Sequence, residues 1–211
     1  ILFTFLGLSS MAQDGLVDLT KNFVFRDGIY LSFESFKNNS PDVSWEKAKL
    51  DAFTNPQSLL TQVLEIQTDT GAFDLKTTWG ICVDGTPAIR IEDDMGMMTH
   101  YAALLWRGKI CYYYYEDKEE KDIPFSVYNP YTKRPYRTAK VRRTVSVLIE
   151  RMFRFETGEV RAFNYKNVLL WIQEEPELIE ALKSLGPKEA DKGLFKSLLL
   201  YDDKHEVRLK Q

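Results

Sequence analysis

Cysteine and histidine are scarce in this chain: its 211 residues include only Cys82 and Cys111, His100 and His205. With no CxxC pair and the two histidines far apart, a zinc site is excluded, because such sites draw several Cys or His ligands from short, fixed spacings. An excess of one charge sign is lacking too. Lys and Arg number 28 against 31 Asp and Glu, a net charge of -3, which removes any global attraction to nucleic acid or to an anionic membrane. There is no GxSxG nucleophile elbow, no phosphate-cradling glycine loop, no internal repeat and no low-complexity linker, so no organic cofactor or metal is expected. No apolar run approaches the roughly 20 residues needed to span a bilayer. What is present is an ordinary globular balance, 44% hydrophobic and 28% charged, with 13% aromatics that lean toward β structure.

The chain opens with an uncharged apolar run, Ile1 to Leu8, followed by Ser9-Ser10-Met11-Ala12-Gln13. Small residues at Ser10 and Ala12 fit the positions three and one before a signal-peptidase cut, so residues 1–12 are expected to be an export leader without its positive n-region. The bland alternative is a buried N-terminal strand. Export permits disulfides. Cys82 and Cys111 each sit in a strand-like run, expected on one sheet, and a bridge between them and two free buried thiols are both open readings.

Residues 13–211 are expected to form one α+β domain, β-rich over 23–163 and helical over 164–201. Residues 29–33 read as a strand, 43–60 are ambiguous with Trp45, Leu50 and Phe53 near helical spacing, and 63–68 alternate as a strand. Two hairpins follow. The first turns at Asp84-Gly85, the dipeptide that type I′ turns favour, and the second runs 99–106, Arg107-Gly108-Lys109, 110–115, ended by the charged run 116–122. Residues 141–155 and 160–163 add two more strands. Asn164 then caps one helix, Glu175-Pro176 opens a second with Leu178, Leu182 and Leu185 on one face, and 188–201 form a third with Leu194 and Leu198. Strands first and helices last predict an antiparallel sheet, sandwich or partial barrel, with C-terminal helices packed on it.

The run from Asp27-Gly28-Ile29-Tyr30-Leu31-Ser32-Phe33 to Ser40-Pro41, the run Trp79-Gly80-Ile81-Cys82-Val83-Asp84-Gly85, and the tail with Glu156-Thr157-Gly158-Glu159, Asn167 and Glu174-Glu175-Pro176-Glu177-Leu178 resemble exported proteins of Bacteroidota. The resemblance touches both ends of the chain after the leader and leaves the middle poorly matched. It implies a periplasmic or secreted, cell-envelope location. That family carries no assigned reaction, ligand or catalytic residues, so the resemblance implies no chemistry.

Glu92-Asp93-Asp94 could supply paired carboxylates for hydrolysis or calcium, and His100 a general base, against the plain readings of a solvated turn and a structural histidine. Lys133, Arg134, Arg137, Lys140, Arg142 and Arg143, with Tyr128, Tyr131 and Tyr136, could grip phosphate or an acidic polysaccharide. The plain reading there is a solvated strand edge balanced by 116–122. Tyr112-Tyr113-Tyr114-Tyr115 must place two rings on each side of a strand, one pair for the core and the other either open to sugars or a protein, or covered by the helices. Phe73, Trp79 and Trp106 read as core. The function expected is a non-enzymatic binding or interaction module of the envelope, engaging a glycan or protein through Tyr112 to Tyr115, Lys133, Arg134 and Arg137. A hydrolase acting on an envelope polysaccharide or peptide is the competing class. An enzyme needs its acid and base groups in one cleft, whereas a binding module needs an open aromatic or basic surface.

Overall fold

The computed structural model describes residues 16–69, 71–92, 98–185 and 187–210. The expected leader at 1–12 and the carboxylates Asp93 and Asp94 lie outside them. In chain order the elements are β1 (Leu16–Asp18), β2 (Gly28–Tyr30), α1 (Phe33–Lys37), β3 (Ala48–Thr54), β4 (Leu60–Thr68), β5 (Gly71–Ala72), β6 (Gly80–Val83), β7 (Thr86–Ile91), β8 (Thr99–Ala103), β9 (Ile110–Tyr128), β10 (Pro135–Arg154), β11 (Val160–Ala162), α2 (Tyr165–Trp171), α3 (Pro176–Ser184), α4 (Pro187–Lys204) and β12 (Arg208–Lys210). The class is α+β. A seven-stranded sheet runs β2-β6-β7-β8-β4-β3 with β5 added to β4, a three-stranded sheet runs β11-β10-β9, and β1 pairs with β12. All pairings are antiparallel.

The layers follow from which side chains each strand alternation buries. Tyr30, Cys82, Ile89 and Ala102 of the larger sheet meet Cys111, Tyr113 and Phe153 of the smaller one, with Phe36 of α1 filling between them. On the smaller sheet's other side, Ile110, Tyr112 and Met152 pack against Trp171, Leu182, Leu198 and Tyr201 of the helices. A third cluster, including Ile29, Val63, Ile81 and Tyr101, covers the outer side of the larger sheet. The curled sheets and the C-terminal helices thus take the sandwich-like order that the alternation predicts. Phe73, Trp79 and Trp106 each pack against one of these clusters.

Several boundaries differ from the sequence expectation. The strand read at 29–33 stops at Tyr30, because Ser32 accepts from the Ser35 amide while the Ser35 side chain reaches back to the Ser32 amide, a capping box that starts α1. The ambiguous stretch 43–60 contains the strand β3, not a helix, and Asn55 closes its turn by accepting from the Gln57 and Ser58 amides. The second expected hairpin is not one. β8 pairs with β7 and β4, and the chain then crosses to the other sheet, where Trp106 bridges Tyr112. The crossing is held from far away in sequence: Gly108 packs on the Asp202 carboxylate, where any side chain would collide, and the Ile110 amide donates to Asp202 Oδ1 at 3.0 Å. Cys82 and Cys111 therefore lie on different sheets, not on one, and both are free thiols. The charged run 116–122 does not end β9. Both sides of the strand are wet there, so charges cost nothing, and β10 continues the ladder beside it.

Candidate functional site

Alternation along β9 sends Tyr113 and Tyr115 toward the inter-sheet core and Tyr112 and Tyr114 toward the helices. Tyr112 is 9% exposed: its hydroxyl donates to Glu150 Oε1 at 2.6 Å and its ring meets Phe163 and Phe195 at 4.8 and 5.3 Å. The helices cover the outer pair only in part: Tyr112 and Tyr114 also line an opening of about 370 Å³ beside Glu116 and Leu148. The inner pair continues outward to something more specific. Tyr113 and Tyr115 line a cleft of about 540 Å³ together with Trp79, Lys76, Arg90 and Arg151.

Each cation of this cleft is placed by a different element. Arg151 stands directly opposite Tyr113 in the β9–β10 ladder, and it has no carboxylate partner among the described residues. Arg90, on β7, is fixed by its Nε donating to the Thr78 carbonyl at 2.7 Å, and its outer nitrogen lies 3.5 Å from the well-exposed Glu92. Lys76 projects from a single 3-10 turn, Leu75–Thr77, which Asp74 caps by accepting from the Lys76 amide. Burial pushes the Tyr113 hydroxyl up to about 12, with Tyr115 adding to the rise and the Arg151 cation opposing it. The tyrosine is therefore a neutral hydrogen-bonding wall at physiological pH. Two guanidinium groups, an ammonium and three aromatic rings around one opening suit a ring-shaped ligand that carries an anionic group, since Arg pairs a carboxylate or phosphate in two-point fashion while aromatic faces take the apolar side of a sugar.

The remaining candidates fall elsewhere. His100 on β8 is 7% exposed and lines a different cleft, of about 530 Å³, between β4 and the root of the β9–β10 ribbon, with Glu116 and Asp117. Glu92 and His100 do not share an opening. Lys133, Arg134 and Arg137 occupy the far end of the ribbon around the turn that Asn129 closes by accepting from the Tyr131 and Thr132 amides. Twelve residues separate row 115 from row 127, roughly 40 Å at about 3.4 Å per residue. The expected joint surface of tyrosines and basic residues is therefore two surfaces, parted by the length of β9. Among the described residues no group of three or more His, Cys, Asp or Glu side chains could hold a metal ion.

The thiols are ordinary buried ones. Cys82 Sγ approaches Asp27 Oδ1 at 3.4 Å, Cys111 Sγ donates to the Gly108 carbonyl at 3.3 Å, and burial raises both well above the usual thiol range. Neither should react with an aromatic disulfide reagent in the native protein, whereas both should react once denaturant is added. Rapid labelling of either thiol without denaturant would contradict the buried placement.

Arg151, Arg90 and Lys76 escape a linear reading. One signal was available: Arg151 has the same parity as Val145, Val147 and Ile149, so it is a cation on the inward side of an otherwise apolar alternation. Among the described residues no helix is long and apolar enough to cross a membrane. Comparison with models of known protein families, with curated proteins and with solved structures finds no significant match.

Proposed function

We propose that this chain is a non-enzymatic binding module of an exported, envelope-associated protein, and that its cleft takes a carboxylate-bearing sugar. The observation that carries the reading is Arg151 beside Tyr113 and Tyr115, facing the same opening as Arg90 and Trp79 with no carboxylate of its own. Binding is favoured over hydrolysis because the acid and base expected to work together stand apart: Glu92 is held by Arg90 at the aromatic cleft, while His100 lines the other opening beside Glu116 and Asp117. The export part rests on the uncharged run and the Ser10/Ala12 pair of residues 1–12.

Calorimetric titration with a uronic-acid oligosaccharide and with its carboxyl-reduced, neutral counterpart tests the assignment. The acidic sugar should bind and the neutral one should not. Arg151→Gln should weaken binding by about 10- to 100-fold, the loss expected for one hydrogen bond to a charged group. Equal binding by Arg151→Gln would overturn the cleft assignment, and release of shorter sugars would put the chain among the hydrolases.

A further inference from the structure

The β9–β10 ribbon ends in a tip whose chemistry the cleft does not use. No Asp or Glu occurs between Asp122 and Glu150, while Lys133, Arg134, Arg137 and Lys140 gather at and beside the turn. Among the described residues none of these four cations forms an ion pair. Acids do lie at the root of the ribbon, but rows 119 and 127 are roughly 27 Å apart at about 3.4 Å per residue, several times the screening length of about 8 Å. The tip is therefore a local positive end on a chain of net charge -3. Three exposed tyrosines share it: Tyr128, Tyr136 and, within the turn, Tyr131 at 93% exposure. The backbone of the turn is a second, independent observation. Asn129 donates its amide to the Arg134 carbonyl, its Oδ1 accepts from the Tyr131 and Thr132 amides, and its carbonyl accepts from Lys133. Thr132 Oγ1 accepts from the Arg134 amide, and Pro130 and Pro135 have no N–H to satisfy. Every N–H from 129 to 135 is thus bonded within the chain or absent.

We infer that this tip docks end-on on an anionic lipid bilayer, with its tyrosines at the headgroup level and its cations on the lipid phosphates. Tyrosine suits that layer because it has an apolar ring and a polar hydroxyl, and Lys and Arg meet the negative surface beside it. A turn whose amides are already bonded loses little on leaving water, which is what entry into a bilayer surface demands of a backbone. Charge placement selects a planar partner over a linear one. Alternation puts Arg137 and Lys140 on opposite sides of the ribbon, so a polymer lying along one side would meet only one of them. A surface approached end-on meets both, together with Lys133 and Arg134. The same surface repels the acids of the root, Asp117 and Glu119 among them, which keeps the rest of the chain away and the ribbon upright. The inference does not rest on the sugar reading, because row 127 stands roughly 40 Å from row 115 at the cleft.

Co-sedimentation of the full chain with lipid vesicles tests it. Vesicles of phosphatidylglycerol in phosphatidylcholine should carry the protein down, and vesicles of phosphatidylcholine alone should not. Raised salt should weaken the binding. Lys133→Glu combined with Arg134→Glu should weaken it at least tenfold, given about fivefold per cation near a charged surface, while circular dichroism stays that of the parent. Tyr131→Ser should weaken it as well. Tyr131→Trp should bind and add an emission that bromine-labelled lipid quenches, whereas the parent's tryptophans, packed on the cores of the body, stay unquenched. A parent that does not sediment with the phosphatidylglycerol vesicles overturns the inference, including one that instead binds a soluble polyuronate or a foreign protein through the tip. So does binding that survives the double charge reversal, or a bound Tyr131→Trp variant that the labelled lipid leaves unquenched.

Discussion

Leu198→Ala lowers the free energy of unfolding by about 2–5 kcal/mol, and Leu182→Ala falls in the same range. Both side chains sit at the interface of the helices with the smaller sheet, at 0% and 1% exposure, among Trp171, Ile172, Met152 and Ile110. Relaxation cannot close the hole cheaply there. Gly193 on α4 lies so near Leu185 that an added Cβ would collide with it, so α3 and α4 are already at close approach. Each loss is a large share of the roughly 5–15 kcal/mol that holds a domain together. Leu200→Ala is the control: on the same helix but 40% exposed, it should cost less than about 1 kcal/mol. Urea unfolding followed by tryptophan fluorescence reads all three. Coincident curves for Leu198→Ala and the parent would mean that the helices are not docked on the sheet.

Parent stability falls, relative to Asp202→Asn, as pH rises from about 4 to about 7. Asp202 on α4 is 8% exposed, accepts from Trp106 Nε1 at 2.6 Å and from the Ile110 amide at 3.0 Å, and ties the helix layer to the crossing between sheets. Burial pushes its carboxyl up from 3.8 to about 7, against the pull of those two donors. The native state therefore keeps a proton that the unfolded chain has already released. The contribution is fully present below about pH 4 and is lost as pH rises through about 7. A displacement of that size is worth about 4 kcal/mol. The asparagine variant cannot titrate, so its stability relative to the parent should rise as pH goes from about 4 to about 7 and stay level above that. Below about pH 4 Asp202→Ala should be less stable than the parent, because it leaves the Trp106 and Ile110 N–H groups buried without an acceptor, at about 1–3 kcal/mol each. A pH-independent difference between parent and Asp202→Asn would show that the carboxyl is not held protonated.

Sequence alone determined the elements whose causes are local. The Asp84-Gly85 turn, with φ of 51° and 71°, needs only the tolerance of those two residues for the left-handed region. The helix after Asn164 needs the Asn164 side chain accepting from the Asn167 amide, and the one after Glu175 starts on Pro176. The leucine stripe on α3 announced a buried side because a helix repeats within the span that a reader sees. Strands first and helices last then gave the class. The paired parity of Tyr112 to Tyr115 was legible in the same way, as two rings to each side.

What covers each side was not legible, since alternation records that a strand has two sides and not what packs on them. Only the tertiary structure decided that the chain leaves one sheet at Leu104 and enters another at Ile110, because the group that holds the crossing, Asp202, is 92 residues away from Ile110. It alone carried β9 through the acidic run, since a ladder with β10 supplies the backbone partners that no local propensity encodes. It also brought Arg90 of one sheet to the same cleft as Arg151 of the other and left the basic tip far from the tyrosines. Convergence of side chains from separate sheets is a property of register and layer packing, and neither is written in the residues near any one of them.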